Sequence, residues 1–200
     1  MLLGSLATTH RAAPGAPGRQ TRPVRYAALL RGVNVGGKTK VPMAALRSSV
    51  EGLGFDDVTT YVQSGNVLFR AASQPEASLV RTLERTIRRT FDLDVTVLVR
   101  TAAQLARIEK ENPYLAQRRD PATLHVTFLA ARPSAAARGE LPRGIGPDEL
   151  TVRGREVYLW CPNGYGRTKL TNAWFEQRLR TPATTRNWRT VVALGELTTT

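Results

Sequence analysis

Eight residues, Gly32-Val33-Asn34-Val35-Gly36-Gly37-Lys38-Thr39, spell the pattern G-x-x-x-x-G-K-[ST] directly after an apolar run, Val24 to Leu30. In a phosphate-binding loop that pattern lets backbone amides and the lysine cradle a nucleotide. Such a loop runs straight from its Lys and Thr into a helix, whose first-turn amides and dipole complete the anion site. Here Val41-Pro42 intervenes. Proline disfavours α geometry in the residue before it and suits the first helical position, so the helix is expected from Pro42 onward. The sequence also lacks an apolar run ending in Asp that would supply a magnesium ligand for phosphoryl transfer. A P-loop nucleotidase is therefore not expected, although glycines that permit positive φ can still turn successive amides toward one anion.

Two further stretches combine cations with loop residues. Asn163-Gly164-Tyr165-Gly166-Arg167-Thr168-Lys169 opens a helix near Leu170. Unpaired amides at a helix N-terminus attract anions, and Arg167 and Lys169 would reinforce that field. The alternative is that Thr168 is simply the N-cap. In Thr184-Thr185-Arg186-Asn187-Trp188-Arg189-Thr190, Arg186 offers a planar fork for phosphate or carboxylate, and Trp188 a stacking surface for a base or sugar. In the alternative reading Asn187 or Thr185 caps a final helix, Trp188 joins Val191 and Val192 on its core face, and Arg186 pairs with an acid.

The remaining reactive side chains point elsewhere. His125 sits inside an apolar run and reads as a satisfied core residue, and Cys161 has no neighbouring signature of a nucleophile. One Cys and two His exclude an internal disulfide framework and a His/Cys metal cluster. Spacing nominates no Ser/His/Asp arrangement and no general-acid pair, so neither a cofactor nor a catalytic residue is assigned.

Composition is that of a globular protein, with 42% hydrophobic and 22% charged residues in a chain of 200. The formal net charge of +13 favours polyanions, either nucleic acid or a phosphorylated small molecule. Arginine supplies 25 of the 29 basic residues, a skew that a coding bias toward Arg and Ala would also produce. The longest apolar run is too short to span a bilayer, and Leu2, Leu3 and Leu6 do not make a secretory h-region. A cytoplasmic location without membrane partners is expected.

These groups need elements to hold them. Residues 1–22 have the Ala/Gly/Pro-rich composition of a disordered tail. Residues 23–101 read as strand Val24 to Arg31, helix Pro42 to Leu53 with Gly54 as its stop, a hairpin within Val58 to Arg70 around Ser64-Gly65-Asn66, a helix with Leu79, Leu83, Ile87 and Phe91 inward, and strand Val95 to Val99. Arg81, Arg85 and Arg88 fall on the opposite, solvated face of that second helix. Residues 102–122 hold a connecting helix, Ala102 to Glu111, and a loop. Residues 123–200 begin again with strand Leu124 to Leu129, followed by a short helix at Ser134 to Arg138, a hairpin of Leu150 to Val152 with Val157 to Trp160, a helix carrying Leu170, Ala173 and Trp174, and a C-terminal helix. Tyr61 to Phe69 can be laid over Val152 to Trp160, one glycine apart in register. The repeated order implies an α+β chain of two ferredoxin-like (β-α-β-β-α-β) halves with mainly antiparallel sheets.

Five segments, in order, resemble the DUF1697 family: Ala28-Leu29-Leu30-Arg31-Gly32-Val33-Asn34-Val35-Gly36-Gly37, Val41-Pro42-Met43, Thr60-Tyr61-Val62-Gln63-Ser64-Gly65-Asn66-Val67, Gly166-Arg167-Thr168-Lys169-Leu170 and Ala183-Thr184-Thr185-Arg186-Asn187-Trp188. The resemblance implies a small bacterial protein of two ferredoxin-like subdomains whose biochemical function is unassigned. It does not require Lys at position 38 or Thr at 39. The family's usual start lies close to Val24, so residues 1–22 are an extension or an incorrectly assigned start.

With a right-handed crossover, the first two strands run parallel, and the exit of strand one meets the turn between strands two and three. Arg31, Asn34, Gly36, Gly37 and Lys38 are then expected to face Gln63, Ser64 and Asn66, a cluster suited to phosphate or carboxylate. Its alternative is a glycine-rich turn whose Asn and Ser side chains cap neighbouring backbone. The leading expectation is a protein that binds an anionic ligand, nucleotide or nucleic acid first. An enzyme acting on such a ligand and a protein-interaction module are the alternatives.

Overall fold

A computed structural model describes residues 22–35 and 39–199. The loop residues Gly36, Gly37 and Lys38 and the N-terminal stretch through residue 21 lie outside the described residues. The chain order is β1 (Pro23–Leu30), α1 (Met43–Glu51), β2 (Asp56–Tyr61), β3 (Asn66–Ala72), α2 (Glu76–Phe91), β4 (Val97–Thr101), α3 (Ala102–Lys110), α4 (Pro113–Ala116), β5 (Leu124–Leu129), α5 (Ala135–Gly139), β6 (Gly144–Ile145), β7 (Asp148–Arg153), β8 (Glu156–Trp160), α6 (Asn172–Leu179), β9 (Ala183–Asn187) and α7 (Trp188–Thr199). Two antiparallel sheets result, β2-β3-β1-β4 and β6-β7-β8-β5-β9.

Three apolar layers hold these sheets. The i, i+4 spacing of Leu79, Leu83 and Ile87 buries one stripe of α2 against the outer face of the first sheet, where Leu46 and Val50 of α1 join it. Each such side chain contributes about 1.5–3 kcal/mol of transfer free energy. The inner faces of the two sheets meet through Ala27, Leu29 and Leu68 on one side and Val126, Phe128 and Tyr158 on the other, with α3 and α7 closing that layer through Leu105, Ile108, Val191 and Leu194. Phe175 and Leu179 of α6 cover the far face of the second sheet. As the periodicity required, Arg81, Arg85 and Arg88 of α2 are exposed, and Trp188 is buried.

The two sheets share a register. Leu29 opposes Asn66 and Leu30 opposes Val97, while Phe128 opposes Glu156 and Leu129 opposes Ala183. The amide of Leu30 donates to the Gly65 carbonyl and that of Leu129 to the Arg155 carbonyl, both at 2.8 Å. Asn66 therefore corresponds to Glu156, Gly65 to Arg155, and Arg100 to Arg186. This shifts the sequence overlay of the hairpins by one residue, because the tight turns place their glycines differently.

Four local expectations change. The fourth strand lies two residues later than expected, ending at Thr101, whose hydroxyl caps α3 in a capping box with Gln104. Strands β6 and β9 are additional. The run Ala183 to Asn187 carries no apolar alternation, yet it is a strand because its buried hydroxyls are satisfied: Thr185 Oγ1 lies 2.7 Å from Thr127 Oγ1 and donates to Asn172 Oδ1. Helix α6 is capped by Thr171, not Thr168, since the Thr171 hydroxyl accepts from the Trp174 amide.

Gly65 combines a left-handed backbone with a packed neighbourhood. Its φ is +72°, and an added Cβ would overlap Val33 Cγ2 and lie 2.9 Å from Leu30 Cβ. Gly54 shares the positive φ, +75°, but faces open space. Gly65→Ala is expected to destabilise by about 2–4 kcal/mol, strain plus overpacking, against about 1–2 kcal/mol for Gly54→Ala. Urea unfolding of the two variants checks this difference; equal losses would refute the close-packed turn.

Candidate functional site

The exit of β1 and the β2–β3 turn do converge, as the crossover argument required, and hydrogen bonds join them. Asn34, in the left-handed region at φ 54°, donates through Nδ2 to the carbonyls of Val41 (2.9 Å) and Gln63 (2.8 Å). Its Oδ1 accepts from the Val41 amide, and its own amide donates to the Thr39 carbonyl. The loop is thus closed on itself by Asn34, which is the capping alternative rather than a ligand contact. Ser64 Oγ and the Tyr61 carbonyl accept from Asn66 Nδ2. The Gln63 side chain is exposed.

Arg186 reaches into this place from β9 and is buried. Its Nε donates to Asn66 Oδ1 at 2.6 Å, Nη1 to Thr184 Oγ1 and the Thr185 carbonyl, and Nη2 to the carbonyls of Leu30, Ser64 and Gly65. A guanidinium has five N–H donors, and all are engaged. The expectation of a ligand fork gives way to a strut between the sheets, and no acid partner is used. Burial pushes the Arg186 pKa down, to about 10, with Tyr165 opposing the shift, so the group stays charged at neutral pH.

Arg31 is likewise committed. Its Nε and Nη2 donate to Glu176 Oε1 and Oε2 at 2.5 and 2.6 Å, a bidentate pair between the end of β1 and α6, and Glu176 Oε1 also accepts from the Ala183 amide. That pairing holds the Arg31 pKa above its ordinary value.

The corresponding arginine of the first sheet returns the contact. Arg100, fully buried, donates from Nη2 to the Leu129 carbonyl at 2.8 Å and from Nε to Glu156 Oε1 at 2.9 Å. Desolvation lowers its pKa, and buried Glu156 is the main opposing influence. Arg155 and Glu76 make a second bidentate pair at 2.7 and 2.9 Å. Sequence reasoning assigned Arg186 as a site residue and passed over Arg100, Glu156 and Glu176. A readable signal existed: both β4 and β9 carry an arginine one residue before a polar helix cap, Arg100-Thr101 and Arg186-Asn187.

Arg167 and Lys169 stand apart from this internal network. With Asn163, Gly146 and Pro147 they line a hollow of about 330 Å³ between the β6–β7 turn and the loop after β8. Both cations are exposed, and neither side chain has an ion pair or hydrogen bond among the described residues. Asp148 also lines the hollow; it is buried, and its Oδ2 accepts from Thr168 Oγ1 at 2.5 Å. The loop is set by that bond together with the Leu170 amide donating to Thr168 Oγ1, and by Gly164 at φ 84°. The cations thus flank a loop fixed by Thr168 rather than a helix N-terminus.

Other titratable groups are packed. His125 stacks on Tyr165 at 4.8 Å, its Nδ1 lies 3.3 Å from the Thr123 carbonyl, and burial lowers its pKa. Burial pushes the Cys161 thiol up, to about 11, which opposes thiolate chemistry. Among the described residues there is no group of three or more His, Cys, Asp or Glu that could hold a metal, and no helix is long and apolar enough to cross a membrane.

The chain is thus a mixed α/β protein of two antiparallel sheets, in which the exit of β1, through Asn34, meets the Ser64-Gly65-Asn66 turn. The chain belongs to the family of proteins of unknown function DUF1697, whose model matches residues 24–158. Its fold is similar to that of conserved bacterial protein SP0830 from Streptococcus pneumoniae, with a TM-score of 0.68 and 24% identity over 88% of this chain and 99% of that one. No curated protein matches.

Two outcomes test the assignment of buried groups. Arg186→Met leaves several buried oxygens without donors, each costing about 1–3 kcal/mol, so a loss of at least about 3 kcal/mol is expected in urea unfolding, with Arg186→Lys between it and the parent. A loss below about 1 kcal/mol would remove Arg186 as a strut. His125 has a folded pKa below its ordinary value of 6.5, so the unfolded chain takes up the proton first and stability falls as pH drops from that value toward the folded pKa. Across pH 7.5 to 5 the Tm of the parent should fall further than that of His125→Phe. Parallel curves would show that His125 does not titrate differently on unfolding.

Proposed function

We propose that the protein binds a phosphorylated or otherwise anionic ligand at the hollow flanked by Arg167 and Lys169. The observation that carries the reading is that two adjacent exposed cations line one concavity without an acid partner among the described residues. The arginines of the internal network, by contrast, are used up on carbonyls and carboxylates. Asn163 adds an amide donor at the rim, and the carboxylate of Asp148 is buried under the loop, bound to Thr168. A phosphate is the group that suits such a pair, because one planar fork and one point charge engage different oxygens of a tetrahedral anion. A nucleotide or a single strand would bring that group, and a net charge of +13 would raise its local concentration.

We also read the architecture as two ferredoxin-like halves, residues 23–101 and 123–200, joined by residues 102–122, in a protein of the cytoplasm. What supports the duplication is the matching strand orders β2-β3-β1-β4 and β7-β8-β5-β9 and the one-to-one register of their neighbours, with β6 an addition at one edge. The cytoplasmic reading rests on one free, buried cysteine in a chain of this size.

Thermal shift with inorganic phosphate, mononucleotides and short single-stranded oligonucleotides tests the binding. A ligand at a hundred times its Kd should stabilise the fold by about 2.7 kcal/mol, and the double variant Arg167→Ala/Lys169→Ala should lose that gain. An oligonucleotide held by these two cations should show log K falling with log salt at a slope of about −1.4. No stabilisation by any of these anions, or an equal gain in the double variant, would overturn the proposal.

A further inference from the structure

The register equivalence exposes one place where the two sheet layers differ. Glu176 Oε1 accepts from the Ala183 amide at 2.9 Å, and Glu84 Oε1 accepts from the corresponding Val97 amide at 3.0 Å. The two carboxylates therefore occupy matching positions, each on the helix preceding the last strand of its sheet. On Glu176 sits the Arg31 guanidinium, delivered by the residue after β1. The residue after β5 is Ala130. The Arg31 amide donates to the Thr96 carbonyl and the Ala130 amide to the Pro182 carbonyl, at 2.9 Å in each case, which fixes the correspondence.

Where Arg31 fills its side, a groove of about 520 Å³ lies on the other, lined by Glu84, Ala130, Val80, Leu98 and Pro182. Glu84 is half-buried there and has no ion pair among the described residues. Arg155 and Glu76 at the rim neutralise each other through their bidentate pair. Arg81, also at the rim, donates to Ser78 Oγ at 3.2 Å.

The geometry points to a binding site for a guanidinium group in this groove, seated on the Glu84 carboxylate as Arg31 is seated on Glu176. A planar cation matches the place on three counts. The Glu84 carboxylate offers Oε2 and the remaining lone pair of Oε1, the set used by Arg31 on Glu176. The methylene stem of an arginine would lie along Ala130, Val80 and Pro182, as long cationic side chains do on apolar surface. Glu84 is also the carboxylate of the groove left without an ion pair among the described residues, since Glu76 is taken by Arg155, while the remaining rim cation, Arg81, is exposed and bonded to Ser78 Oγ. The ligand is free arginine or an arginine side chain of a peptide, and the proposal stands on different residues from the anion site.

Calorimetry on the full chain separates the outcomes. L-arginine and a blocked tripeptide with central arginine are titrated in parallel with L-citrulline, which has the same length and no charge. A Kd of about 1 mM or tighter for either arginine compound is expected, with no heat from citrulline. Glu84→Gln keeps an acceptor for the Val97 amide and should weaken binding at least about tenfold. Ala130→Arg supplies the missing side chain from within, so it should abolish binding and raise Tm. Binding by the tripeptide alone would assign the site to a peptide, and by the free amino acid to a metabolite. Binding by neither, binding of citrulline with equal affinity, or full binding in Ala130→Arg would overturn the proposal.

Discussion

Two buried guanidiniums exchanged between sheets set the rest of the structure. Arg100 of the first sheet bonds the carbonyl that ends β5, and Arg186 of the second bonds the carbonyl that ends β1, each at 2.8 Å. Taking a guanidinium out of water is tolerable only when its five donors find acceptors, and strand ends offer carbonyls that the ladder has left over. The contact is therefore geometric as well as energetic. A sheet displaced by an ångström would lose several directional bonds at once and strand a buried charge. Because the apolar inner faces meet around these struts, the layer between the sheets is packed.

This explains why so much of the convergence at the first loop was legible while its purpose was not. Crossover handedness alone brings the exit of β1 to the β2–β3 turn, and the structure joins Asn34 to Gln63 there. Residue type alone cannot say whether a converging Asn, Ser and Arg face a ligand or one another. The deciding partner, Arg186, is distant in sequence from Asn66. The first and the connecting helix were readable to within a residue or two, as α1 and α3 show, and the inward stripe of α2 was readable from its periodicity. Strand β9 was not, since its polar run becomes compatible with burial only through hydroxyl pairing to β5 and α6.

The same distinction sorts the surface cations. A large positive charge argues for polyanion contact only where it remains available, and Arg31, Arg100, Arg155 and Arg186 are all bound within the fold. Arginine suits this internal work because its fork can bridge carbonyls and carboxylates at once and its weak hydration eases burial. A +13 chain thus overstates the charge field that a ligand would meet.

The differences between matching positions are coupled. On the side of Arg186, Gly65 stands next to Asn66, there is no room for a Cβ at Gly65, and the outer cation comes from Arg31. On the side of Arg100, the residue matching Gly65 is Arg155, which becomes the outer cation, and Ala130 replaces Arg31. Arg155 lies close enough to Arg100 to oppose its protonation, and at this side the neutral Asn66 is exchanged for Glu156. Arg100 and Arg155, with Arg107 joining from α3, thus meet two carboxylates, Glu76 and Glu156, where the opposite side holds Arg186 and Arg31 with Glu176 alone. Moving the outer arginine from the strand exit to the turn brings it toward a buried cation and so calls for an added acid. It also leaves the carboxylate of Glu84 without the guanidinium that its counterpart holds.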